Sequence, residues 1–158
     1  MDATQQAAVQ AVYTAAGGAA LTAAQIAAIG PMVDAGQYTQ IADYLSTGLT
    51  VQGSVTVPTF LAWAASTGLL AAIEEAAANT ASPLYNSALA IRYMLGWPSG
   101  SLDLRNSDPV GTGNQQMLAD WVSANAITAE QQAALLSLAQ QPTTVSLASI
   151  STALNAVT

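Results

Sequence analysis

The sequence predicts an all-α fold: a single globular domain of about nine short helices, with one short extended arm near residues 49–57. Hydrophobic residues make up 52% of the chain, but much of that share is alanine, and aromatics are only 6%. Alanine is the strongest helix former and adds little bulk, so short helices pack closely with larger residues as spaced anchors. Apolar residues also recur at helical spacing through most of the chain. Finally, Thr, Ser or Pro stand ahead of these runs and Gly or Pro behind them, as at helix starts and stops.

The N-terminal helices occupy 4–46. The first runs from about Thr4 to Ala16, with Val9, Val12 and Tyr13 on one face, and stops at Gly17-Gly18. Thr22 caps the second, and Gln25 three residues on completes a capping-box pattern. Ile26, Ile29 and Val33 line one face of this helix, and Pro31 is placed to kink or split it. A third helix spans roughly Gln37 to Ser46, with Ile41, Tyr44 and Leu45 inward and Gly48 as its stop. Leu49, Val51, Val55 and Val57 then alternate with polar residues around Gln52-Gly53-Ser54. This is the only β-like stretch, an extended arm or a small hairpin.

Helices resume over 58–140. Pro58 suits the first turn of a helix carrying Phe60, Leu61 and Trp63 to Ser66. Leu69 to Asn79 forms the next. Ser82-Pro83 starts a sixth, running to about Leu95 with Leu84, Leu89, Ile91, Tyr93 and Met94, and Gly96-Trp97-Pro98 ends it. A polar loop is expected from Ser99 to Gly113. The seventh helix covers about Asn114 to Ala124, with Met117, Leu118, Trp121 and Val122. Thr128 caps the eighth, which ends near Gln140, before Pro142. A short C-terminal helix, 146–155, is capped by Ser146 and carries Leu147, Ile150 and Leu154. No long linker divides the chain. Ala20–Ile29 echoes Ala126–Leu135, each with Thr at the cap and Gln three residues later. Two copies are too few for a solenoid, so the echo reflects shared helix-start physics.

Charge is the unusual property. Only 7% of residues are charged, against about 25% in an ordinary soluble domain. Histidine is absent, the only cations are Arg92 and Arg105, and the formal charge is −7. Binding nucleic acid takes several Lys or Arg side chains against the phosphates, which argues against that partner. The neutral surface has two readings: a soluble exterior, or a surface buried against neighbouring subunits, where charge is depleted. Apolar runs break well before 18 residues, so no membrane partner is expected. Met1-Asp2-Ala3-Thr4 offers neither region of a signal peptide, and none is expected.

The side chains of most catalytic chemistry are missing. There is no cysteine, histidine or lysine, which closes thiolate metal sites, Ser-His-Asp and Ser-Lys arrangements and phosphate-binding Gly-Lys loops. Gly111-Thr112-Gly113 is too short for a dinucleotide fingerprint. Glu74 and Glu75 are adjacent on a helix, about 100° apart, and cannot face one substrate together. Two distant acids could still serve a carboxylate-only hydrolase. Asp103, Asn106 and Asp108 offer oxygen ligands for calcium but lack the spacing of a helix–loop–helix site. The favoured alternative has Asp108 capping a helix through Pro109 and Asp103 pairing with Arg105. The expectation is therefore a non-enzymatic protein with no cofactor, no metal and no small-molecule substrate.

That leaves contact residues. Trp97, between Gly96 and Pro98 at a helix end, is the first candidate for an interface, since aromatics are enriched at hot spots. Arg92, in an otherwise apolar helix, either reaches a neighbour's carboxylate or pairs internally with Glu74 or Glu75, and the internal pair is favoured. Val51 and Val55 of the arm are candidates to join a neighbour's sheet edge.

One resemblance extends this. Ser82-Pro83-Leu84 leading to Ala88-Leu89-Ala90, then Leu102-Asp103-Leu104, Asp108-Pro109, Met117 to Val122 and Ala126 to Glu130, resemble small helical phage-encoded proteins found with virion structural genes. The similarity covers roughly Ser82 to Gln140, with a weaker match over Ile26 to Leu45; Gly111-Thr112-Gly113 departs from the pattern. It implies a bacteriophage virion component, an accessory tail or capsid subunit made in the host bacterial cytoplasm. Its partners would be larger virion proteins and copies of itself. The alternative is a free-standing helical module that binds a host or partner protein.

Overall fold

In the computed structural model, which describes residues Met1–Val157, the chain is mostly helical, as expected, with four short strands added. The order is α1 (Ala3–Ala15), α2 (Ala23–Asp34), α3 (Tyr38–Ser46), β1 (Thr50–Gln52), β2 (Ser54–Thr56), α4 (Val57–Thr67) and α5 (Leu69–Ala78). There follow α6 (Tyr85–Leu95), β3 (Ser101–Asp103), α7 (Pro109–Ser123), α8 (Ala129–Leu138), β4 (Gln140–Pro142) and α9 (Leu147–Asn155).

Capping sets the helix starts. Thr22 and Thr128 each accept from the N–H of the Gln three residues on, and that Gln side chain accepts from the cap's own N–H. The echo between these segments is thus one capping box used twice. Asp2 and Gln5 form a third box, with both bonds at 2.9 Å, which starts α1 just ahead of the expected Thr4. Pro31 does not split α2. The helix continues through it, and the Ala35 N–H reaches back to the Pro31 carbonyl at 3.1 Å.

The arm is extended where expected, over β1 and β2. It is not a hairpin, however, nor the only extended stretch: β1 pairs with β4, and β2 with β3. Only Gly53 separates β1 from β2, one residue fewer than the commonest hairpin loop. In the antiparallel β2–β3 pair, Ser54 faces Asp103, Val55 faces Leu102 and Thr56 faces Ser101. The sequence offered no alternation at Ser101–Asp103 or Gln140–Pro142, because three-residue strands are shorter than the period-2 signal needs.

The expected Ser99–Gly113 loop is therefore split between β3 and an early α7. Asp108 Oδ1 accepts from the Val110 N–H at 2.8 Å, and Pro109 takes the first helical position. Gly111 lies inside the helix for a steric reason. A Cβ there would stand 2.3 Å from the Arg105 carbonyl oxygen and 2.5 Å from its nitrogen. Glycine at 111 reads as a loop by propensity, but here it permits close backbone approach.

No long linker divides the chain, which was expected to form one domain, yet it forms two compact units, and the boundaries fall inside β1 and β4. The first comprises Met1–Val51 and the chain from Gln141 onward. Within it α9 packs on α1 and α3 around Val9, Ile29, Ile41, Leu45, Ile150 and Leu154. The second, Gln52–Gln140, holds α4 to α8 with β2 and β3. Its core gathers Phe60, Trp63, Leu69, Ile73, Leu118, Trp121 and Leu135. Burying each such side chain contributes about 1.5–3 kcal/mol. A division made through strands of three residues leaves no composition shift for a reader of the sequence to find.

Candidate functional site

Both arginines lie in the second unit, and their settings differ. Arg105 follows β3. Its Nε donates to Asp103 Oδ1 and Oδ2 at 3.0 Å, its Nη2 donates to Asp103 Oδ2, and Asp108 Oδ2 is 3.5 Å away. The hydrogen-bonded Arg105 guanidinium, with its backbone N–H, holds the Asp103 carboxyl below the usual carboxylate range. Asp103 in turn raises Arg105. Gln115 Nε2 donates to Asn106 Oδ1 at 2.6 Å and to the Leu104 carbonyl, and Asn114 Nδ2 donates to the Asp103 carbonyl at 2.8 Å. The oxygens a calcium ion would need in this loop are thus engaged by N–H donors. Among the described residues no group of three or more His, Cys, Asp or Glu is placed to hold a metal.

Arg92 sits in the last turn of α6, where a cation favours the helix dipole. Glu74 Oε1 on α5 is 3.4 Å from its Nε, the internal pair favoured from sequence, and both side chains remain substantially exposed. Among the described residues its guanidinium makes no hydrogen bond of normal geometry. Glu75, the other acid of the pair, instead lines an open hollow of about 490 Å³ with Asn79, Ser82, Asn125 and Trp121.

The three tryptophans separate in the same way. Trp63 and Trp121 are buried, and each indole N–H has a partner: the Gln131 carbonyl at 3.2 Å and Ser87 Oγ at 3.0 Å. Trp97 is 73% exposed and its indole N–H has no partner among the described residues. A turn presents it. Gly96 N–H bonds to the Tyr93 carbonyl at 3.1 Å, Trp97 N–H to Met94 at 3.0 Å, and Gly100 N–H to Trp97 at 2.8 Å. A Cβ on Gly100 would come within 3.0 Å of the Trp97 oxygen, so the turn is tight.

Tyr93, on the sixth helix of the sequence reading, is 78% exposed and flanks Trp97. The signal was present in the helix period. Leu84, Ala88 and Ile91 form the buried stripe, and Tyr93, two residues beyond Ile91, lies about 200° round from it. Tyr93, Met94 and Trp97 line a hollow of about 280 Å³, and Leu89, Arg92 and Tyr93 line one of about 300 Å³. Arg92 and Trp97 are thus brought onto one surface through Tyr93.

The arm residues are not part of it. Val55 is 2% exposed, its side chain packed in its own unit's core and its strand paired with β3 opposite Leu102. Val51 is half-buried, and its Cγ1 lies 2.3 Å from where a Cβ on Gly17 would stand. Elsewhere, a groove of about 540 Å³ lined by alanines of α1 and small residues of α9 marks the first unit. No single helix is long and apolar enough to cross a membrane; α4 and α5 together have the length but bend by 92°. Compared with known protein families, curated proteins and solved structures, the chain matches none.

Proposed function

We propose that the chain is a non-enzymatic bacteriophage virion structural protein, an accessory subunit of the tail or capsid that packs against larger virion subunits. In this reading it is made in the host bacterial cytoplasm and acts in the particle, with virion proteins and copies of itself as partners. It takes no nucleic acid, membrane, small-molecule substrate or cofactor.

The exposed Trp97–Tyr93 pair is the observation that carries the reading. Two large aromatics on one short turn, in a chain whose other tryptophans are buried and hydrogen-bonded, form the kind of surface that partners cover. The low charge agrees, since interface cores are depleted in charge. The phage assignment rests on the resemblance over Ser82–Gln140. Fractionating phage particles on a density gradient and quantifying the chain by mass spectrometry tests it. Co-migration at a fixed ratio to the major subunits is expected. A chain found only in the soluble fraction would sink the reading.

The free-standing binding module is favoured by one feature, the open hollow lined by Glu75, Asn79, Ser82 and Asn125. Light scattering after size-exclusion chromatography separates the two. Self-association supports the virion subunit, and a stable monomer supports the module.

A further inference from the structure

We infer that Gln52–Gln140 is an inserted module that folds on its own core, and that its folded state is a clip holding together the two chain segments of the first unit. That unit is built from Met1–Val51 and the chain from Gln141 onward, with the whole second unit between them in sequence. Its core needs both segments: Val9, Ile29, Ile41 and Leu45 come from one, and Val145, Ile150 and Leu154 from the other. The second core, from Val55 to Ala139, is drawn wholly from the insert.

Hydrogen bonds gather the ends within each unit. In the insert, Gln140 Nε2 donates to Gln52 Oε1 at 2.7 Å, Gln52 Nε2 to the Leu136 carbonyl at 2.9 Å, and the Gly53 N–H to the Ala139 carbonyl at 2.8 Å. In the first unit the Thr143 N–H donates to the Leu49 carbonyl at 3.1 Å and the Val145 N–H to Ser46 Oγ at 2.8 Å. The folded insert therefore begins and ends at neighbouring points, and to the first unit it acts as a short connection. Unfolded, it becomes a loop of about ninety residues, whose closure costs more entropy. The effective concentration of one end at the other falls roughly as the −3/2 power of length, so it drops roughly a hundredfold relative to a connection of about four residues. Unfolding the insert thus loosens α9 from α1 and α3 without altering any residue of their core. By linkage, the folded first unit steadies the insert by the same factor.

The full chain carries its own probes. All three tryptophans lie in the insert, so indole fluorescence follows it alone, while hydrogen exchange of α1 and α9, read by mass spectrometry, follows the first unit. One arm opens the first unit with Leu45→Ala and Ile150→Ala, both in its buried core. Protection of α1 should be lost while the fluorescence transition in urea persists at a lower midpoint. Loss of that transition together with α1 protection would overturn the module. The other arm unfolds the insert with Phe60→Ala and Trp121→Ala, verified by fluorescence of Trp63 and Trp97, and adds Gln52→Cys and Gln140→Cys. The chain has no other cysteine, so a bifunctional thiol reagent bridges this pair alone. The bridge restores the short connection, so α1 and α9 should be protected about a hundredfold more than in the unbridged variant. Equal protection with and without the bridge would overturn the clip: if high, the first unit needs no closure, and if low, it needs more from the insert than proximity of its ends.

Discussion

The Asp103–Asp108 loop and the Arg92–Trp97 turn lie in one unit and each carries one of the chain's two arginines, yet they have opposite characters. In the loop, Arg105 is gripped by Asp103 and approached by Asp108, glutamine and asparagine side chains tie down the carbonyls, and Gly111 lets α7 press against the backbone. At the turn, the aromatic rings stand outward and the Arg92 guanidinium, among the described residues, has Glu74 at 3.4 Å but no hydrogen bond of normal geometry. The contrast teaches that polar groups in this charge-poor chain are satisfied where structure is being held, and left exposed at the turn. Substitutions in the loop should therefore cost stability, and substitutions at the turn should cost little.

The widest gap is between tryptophans. Trp121→Ala empties a core site whose indole N–H is bonded to Ser87, and should cost about 3–5 kcal/mol in urea unfolding. Trp97→Ala should stay within about 0.5 kcal/mol of wild type. Comparable losses for the two would break the comparison.

Next come two glycines two residues apart in α7. Gly111→Ala drives a Cβ into the Arg105 backbone and should cost about 1–3 kcal/mol. A Cβ at Gly113 meets nothing within 4 Å, so Gly113→Ala should stabilise by about 0.5–1 kcal/mol. Same-signed effects would show that the close approach is not what places Gly111.

Removing the cap with Asp108→Ala should cost about 1 kcal/mol, as should Thr128→Ala on α8. At the turn, Arg92→Gln should change stability by less than about 1 kcal/mol, as for an exposed ion pair.

The smallest effect is pH-dependent. The folded chain holds Asp103 below the ordinary carboxylate range through Arg105. It holds Glu130 low through a backbone N–H at the start of α8 and the Thr128 hydroxyl. Groups depressed in the folded state bind fewer protons than in the unfolded state, so their contribution is present above about pH 4 and lost as pH falls through the lowered values. The thermal midpoint should drop on acidification below that range. Arg105→Gln should flatten the part of the drop due to Asp103 and leave that due to Glu130. An acid limb unchanged by Arg105→Gln would separate the ion pair from stability.

Much was legible without coordinates because it is local. Helical period, the Thr-x-x-Gln starts and Pro at first turns depend on neighbours three or four residues apart, and the structure places nine helices among the described residues close to where those signals lie. The Asp103–Arg105 pairing and the Asp108 cap were equally local. Trp97 stood out because Gly and Pro flank it, and Tyr93 could have been found from the Leu84–Ala88–Ile91 stripe.

The sequence by itself determined the helical class, the missing imidazole, thiol and amine chemistry, and the scarcity of cations. Tertiary structure alone decided which strand each half of the arm meets, why Gly111 must lack a Cβ, and that the core divides in two. Those outcomes depend on residues about fifty to ninety positions apart, such as Val55 with Leu102 or Gln52 with Gln140, or on the closeness of two backbones. Periodicity carries no information over such separations, and a three-residue strand is too short to announce its partner.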